Sequence, residues 1–213
     1  MKTLQEILRE GEHKGQSFFE NTDDVLEIAR TLVAFSNCDG GVLLIGLKKN
    51  GKIVGVDPQN ELLNISLILQ ENCEPHMTIS SRIFQEKVRI VLEISVLSGN
   101  EKPYNVIYNS KKEVFIRKEN RNILANKMVE DVWKFKRLND VKPINLSPAE
   151  KTMLDLIHSN SKISLTKIHK KSNLSFSEID RVLVRLISWN YIVMEMTDNG
   201  TEFSEYLKAP NHL

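Results

Sequence analysis

Residues 32–57, LVAFSNCDGGVLLIGLKKNGKIVGVD, constrain this chain more than any other stretch. An amphipathic helix runs into Asn37-Cys38-Asp39-Gly40-Gly41, and a fully apolar strand, Val42 to Ile45, follows. Consecutive glycines permit positive φ, so the chain can double back without steric cost. Four apolar residues bounded by glycines read as a strand buried on both faces. Asn50-Gly51 between two apolar runs is a strong hairpin signal, and it predicts a return strand over Ile53-Val54-Gly55-Val56.

Bulk properties narrow the class. A chain of 213 residues allows one large or two small domains, and 41% hydrophobic with 27% charged residues is ordinary for a globular protein. No apolar run reaches the ~18–20 residues that span a bilayer. The opening MKTLQEILREGEH carries acids and lacks the apolar stretch of a signal peptide. Together with two cysteines that make no framework, Cys38 and Cys73, this gives a cytoplasmic expectation. Cys73 and His76 share a C-x-x-H spacing, but without a second pair no metal site is expected. The net charge of +1 hides an uneven distribution. Residues 1–75 hold 7 basic and 12 acidic side chains, whereas residues 102–142 hold 11 basic and 5 acidic. A basic middle segment is where a phosphate-binding face is expected.

Periodicity divides the chain into a first domain over 1–138, a linker over 139–147 and a second domain over 148–207. In the first, helices are predicted over 3–9, 23–36 and 61–72. Strict alternation of Val88, Ile90, Leu92, Ile94 and Val96 predicts a half-buried antiparallel strand, with another over 78–84 and a third over 113–118. A helix over 122–138 closes the domain. Interleaved helices and hairpin-paired strands make an α+β fold with a mixed sheet. The linker contains Pro143, and Ser147 then Pro148 are an N-cap and first helical residue. The second domain has the element order of a small winged helix: helices over 149–159 and 164–171, a third capped by Ser175 or Ser177 and running to about 190, then a ribbon with Asp198-Asn199-Gly200 at its tip. On the third helix Ile179, Val182, Leu183, Leu186 and Ile187 form one stripe. Ser177, Arg181, Val184 and Ser188 form the other, with Arg185 at its edge. That second face is the one a winged helix places in the major groove, with Lys167, Lys170 and Lys171 near phosphate.

The string AF-x-N-x-x-GG-x-LLIG-x-x-x-x-G-x-I-x-G, as it stands from Ala34 to Gly55, resembles the AlbA-like domain of the Schlafen group, over roughly residues 8–137. That resemblance implies a DNA-binding domain. In members that cut RNA it further implies three acids: two in an E-x-x-x-x-E-F-K string and an Asp just after the LIG strand. Clustered carboxylates suit such chemistry because they hold the divalent cations that clamp attacking and leaving oxygens. Here Glu12 matches the first acid, Ser17 stands at the second, and Lys49 stands at the third beside Lys48. Two of the three acids are absent, so no catalytic residues, no metal and no nuclease activity are expected. Gly40-Gly41 lies between a helix and a strand, the reverse of a phosphate-binding loop, so no ATP or other cofactor is expected. Lys48, Lys49, Arg117 and Lys118 are instead candidate phosphate contacts. The expected function is a bacterial-type, homodimeric transcriptional regulator that binds DNA rather than RNA. The alternatives are an atypical Schlafen-like ribonuclease built on Glu12 and a non-catalytic protein-interaction adaptor.

Overall fold

The computed structural model describes residues 2–138, 142–197 and 200–206. The chain divides into two compact units, Met1–Asn126 and Lys127–Leu213.

The first unit runs α1 (Leu4–Glu10), β1 (Gln16–Phe19), α2 (Val25–Asn37), β2 (Gly41–Ile45), α3 (Pro58–Asn72), β3 (Cys73–Glu74), β4 (Ile79–Glu86), β5 (Arg89–Val96), β6 (Asn105–Tyr108), β7 (Lys111–Glu113), β8 (Phe115–Lys118) and β9 (Arg121–Leu124). Helix starts follow local chemistry. Thr3 and Glu6 form a capping box on α1, and the Asp24 side chain accepts from the Glu27 amide to cap α2. The main sheet has the order β1-β2-β5-β4. β1 and β2 pair in parallel, joined through α2, while the other neighbours are antiparallel, which makes the sheet mixed. β2 is central and buried on both faces: Leu43 and Ile45 join the core beneath α2 and α3, and Leu44 joins Leu4, Ile7 and Phe18 beside α1. The apolar run between glycines is thus a strand that packs twice.

Two expectations change here. Residues 53–56 do not form a return strand; only Leu47 and Ile53 make an isolated bridge. The turn itself closes as predicted, with Lys48 N donating to Lys52 O and Gly51 at φ +81°. Beyond it, the Val54 and Gly55 amides both donate to Gly46 O, with Gly46 at φ +103° and Gly55 at φ +82°. The chain therefore curls onto one carbonyl instead of running a ladder. Conversely, β1 forms between the first two helices, where the sequence pattern predicts no strand. All four of its residues are buried, because the Gln16 amide donates to Ile7 O and Gly11 O and so satisfies a polar side chain in the core.

The second unit runs α4 (Lys127–Leu138), α5 (Pro148–His158), β10 (Ile163–Ser164), α6 (Leu165–Lys171), α7 (Phe176–Ser188), β11 (Ile192–Thr197) and β12 (Gly200–Glu205). Its sheet is antiparallel in the order β10-β12-β11. Ser147 is the expected N-cap, with Pro148 at the start of α5, and Glu150 completes a capping box with it. The expected ribbon tip, Asp198-Asn199, lies outside the described residues, as do linker residues 139–141. α4 is shorter than the helix predicted over 122–138, since Arg121–Leu124 pairs with β8 as a strand. It also clusters with the second unit, not the first: Met128 and Val132 share a core with Ile157, Ile179 and Leu183.

This division splits the basic middle segment. The first unit carries 16 basic and 17 acidic residues, and the second 13 basic and 11 acidic. Neither unit inherits the whole of the segment's positive excess.

Candidate nucleic-acid interface

Around the three positions where the resemblance implies acids, charge is compensated internally. The Glu12 carboxylate, whose side chain is 14% exposed, accepts from the Phe18 amide at 2.9 Å. The Lys49 ammonium lies 2.9 Å from the same carboxylate oxygen and 4.6 Å from the centroid of Phe19. A cation on the turn after β2 thus sits on the one acid that remains. Ser17 is buried within β1 opposite Leu43. Lys48 pairs with Glu20 at 3.5 Å, so both turn lysines have acidic partners. Among the described residues no group of three or more His, Cys, Asp or Glu side chains is placed to hold a metal ion.

Arg117 corrects the sequence reading, since it is 5% exposed and turned inward. Its guanidinium donates to Lys14 O, His13 O and Asn122 Oδ1, and stacks 5.0 Å from Phe35. Burial pulls its pKa down, and the nearby charges of Glu12 and Glu27 oppose that shift. It ties β8 to the segment before β1, and its burial keeps it from a phosphate in solvent. Lys118 stands half-buried at the end of β8 opposite Arg121. Beside Arg117, the Cys38 thiol accepts from the Arg117 amide, and desolvation raises its pKa. The Lys14 ammonium donates to Asp39 at 2.6 Å, which lowers the Asp39 pKa.

In the second unit the candidate residues separate by exposure. Lys167, Lys170 and Lys171 are exposed along α6, and Ser177 and Arg181 are exposed on the first turns of α7. Ser175 and Glu178 form a capping box that fixes where α7 begins. Val184 and Arg185 do not join this surface. Val184 is 8% exposed and packs in the core that contains α4, and Arg185 Nε lies 2.8 Å from the buried Glu150 carboxylate. Ser188, on the same face, donates to Val132 O of α4. α4 therefore covers the C-terminal half of the face that the helical periodicity assigns to the groove. Between α4 and α7 a groove of about 380 Å³ remains, floored by Phe135, Leu138 and Val184.

One residue of this corner escapes the sequence reading. Phe176, the first residue of α7, is 71% exposed. Its ring lies 4.2 Å from the His169 imidazole, centroid to centroid, at 43°. Residue type conceals it, because spacing alone does not mark an apolar side chain at a helix start as exposed. No helix of the described residues is long and apolar enough to cross a membrane.

The profile described as Schlafen, AlbA_2 matches residues 9–126, which is the first unit less its opening residues. No curated protein matches the chain. Among solved structures, the chain is similar to the N-terminal domain of a RecG-related protein from Nitrosomonas europaea. That match has 17% identity and TM-score 0.42, and covers 60% of this chain and 97% of that one. It is also similar to the DIP2311 protein from Corynebacterium diphtheriae, at 14% identity and TM-score 0.45, over 95% of this chain and 38% of that one. With the profile spanning more than half of its length, the chain belongs to the Schlafen AlbA_2 family.

Proposed function

We propose that this protein binds nucleic acid without cutting it, as a cytoplasmic, homodimeric DNA-binding transcriptional regulator whose second unit works as a winged helix. The observation that carries the reading is the α6–α7 corner, where His169 of α6 meets Phe176 of α7, Lys167, Lys170 and Lys171 are exposed on α6, and Ser177 and Arg181 are exposed on α7. Exposed cations next to the first turn of a helix suit a duplex, whose phosphates take the lysines while the helix approaches base edges. Membership of a family regarded as nucleic-acid-binding supports the same direction. Non-cleavage is supported by the Glu12–Lys49 ion pair, since a bound ammonium competes with any cation for that carboxylate.

The test is fluorescence anisotropy of the full chain against duplex DNA, structured RNA and single strands across a salt series. Affinity that falls steeply with salt, and is weakened with a lower salt slope in Lys170→Ala/Lys171→Ala, is the expected result. Flat curves for every ligand would sink the reading. Incubation of each ligand with Mg²⁺ or Mn²⁺ is expected to leave it intact, and cleavage abolished by Glu12→Ala would instead establish an atypical ribonuclease. Light scattering checks the dimer. A second reading, a protein-interaction adaptor, is favoured by the apolar-floored groove between α4 and α7, and it predicts no salt-dependent affinity for any polynucleotide.

A further inference from the structure

The strongest feature left over from this reading is Phe176. Val88 and Ile144 are exposed aliphatics, which protein surfaces carry routinely, and Tyr108 and Tyr206 are only about half exposed. Phe176 differs on three counts. It is aromatic, it lies against a second ring from α6, and Lys170 and Lys171 follow that second ring's residue in sequence. It also lies outside the buried clusters of the second unit, so packing does not explain it. An exposed aromatic ring against a helix that carries exposed lysines has a specific chemical complement. A phosphodiester supplies the negative charge, and a nucleobase supplies a flat π-surface.

Paired bases offer a protein only their edges, because their faces are stacked on neighbours. An unpaired base offers a face, and stacking on an aromatic side chain is tolerant of base identity. We infer that Phe176, backed by His169, is a stacking platform for an unpaired nucleobase. The α6–α7 corner then takes a nucleic acid that presents a single-stranded tail, a bulge or a melted step, with Lys170 and Lys171 holding the adjacent phosphates. This rests on the nucleic-acid reading above and narrows it. Duplex contact through the lysines remains, and the ring adds a preference for a site where one base is free.

The experiment uses the full chain and three probes: a blunt duplex, the same duplex with one extrahelical thymine, and a thymidine single strand. Phe176→Leu keeps the apolar volume and removes the ring, and Phe176→Trp keeps a ring whose emission a stacked base quenches. Wild type is expected to favour the two probes with unpaired bases over the blunt duplex. Phe176→Leu should lose about ten-fold on those two and stay unchanged on the blunt duplex. Phe176→Trp should retain affinity, with emission quenched beyond that of wild type. Lys170→Ala/Lys171→Ala should lower the salt slope while keeping the preference. A Phe176→Leu protein that binds all three probes as wild type does would overturn the stacking role and leave the nucleic-acid reading standing. If wild type binds none of the probes, both fall together. Because Phe176 is exposed, an unchanged Tm for each variant is the expected control.

Discussion

Asn37 sits in the middle of the glycine-bearing motif, yet its side chain is buried and fully engaged. Its Nδ2 donates to Tyr104 O and Phe115 O, and its Oδ1 accepts from the Tyr104 amide. One amide side chain thereby satisfies backbone groups of two segments remote in sequence, which spacing along the chain cannot reveal. Arg117 is the same lesson in a charged residue, since on the sequence it belongs to a basic run and in the fold it is a tie between backbone carbonyls. Arg117→Met is expected to destabilise the first unit by about 2–4 kcal/mol, read from urea unfolding, because it strands buried acceptors. A loss within ~0.5 kcal/mol would mean that the arginine is dispensable to packing. The thiols make a second residue-scale case. Burial pushes the Cys73 pKa up to about 12 from 9.0. Above pH 9 the unfolded chain sheds this proton while the folded one keeps it, so folding binds a proton and stability falls as pH rises. The stabilising term is complete below pH 9 and drains at about 1.4 kcal/mol per pH unit between 9 and 12. The stability margin of wild type over Cys73→Ala should shrink at that rate above pH 9. A margin independent of pH would contradict the assignment.

α7 has the clearest apolar stripe in the second unit, and its core side follows the sequence pattern through Ile179, Val182, Leu183 and Leu186. Periodicity defines that stripe, but it cannot say whether the opposite face meets water, DNA or another helix. α4 answers for the C-terminal half: Val184 is covered, and Ser188 is bonded to the α4 backbone. Val184→Asp is therefore expected to cost about 2–4 kcal/mol through an unpaired buried carboxylate, seen as a lowered Tm. A Val184→Asp protein of wild-type Tm would return that face to solvent. The turn after β2 carries the converse lesson. Asn50-Gly51 makes the predicted turn because Gly51 takes the positive φ that the geometry needs. The return strand fails because local propensity gives way to the Gly46 carbonyl, which takes the amides of both Val54 and Gly55. At Gly41 the constraint is space, since a Cβ would lie 2.5 Å from the Phe35 ring.

At the scale of the molecule, two units each own a core: one built on β2 and α2, the other on α7 with α4 and α5. Ile157→Ala, in a fully buried position of the second core, should cost about 2–5 kcal/mol. In hydrogen exchange, protection should fall across α5 and α7 while the amides of β2 and β5 hold theirs. Equal loss in both units would mean that they unfold as one. Amino-acid sequence alone determined the family, the α+β class with its mixed sheet, the cap that starts α5, and the absence of two of the three acids. All of these rest on local chemistry, periodicity or a contiguous motif, which a linear string preserves. Tertiary structure alone decided which charges are free. It placed Lys49 on Glu12, turned Arg117 inward, covered Val184 with α4 and left Phe176 in solvent. Burial and pairing arise between segments far apart in sequence, so residue type and spacing leave them undetermined until the chain has packed.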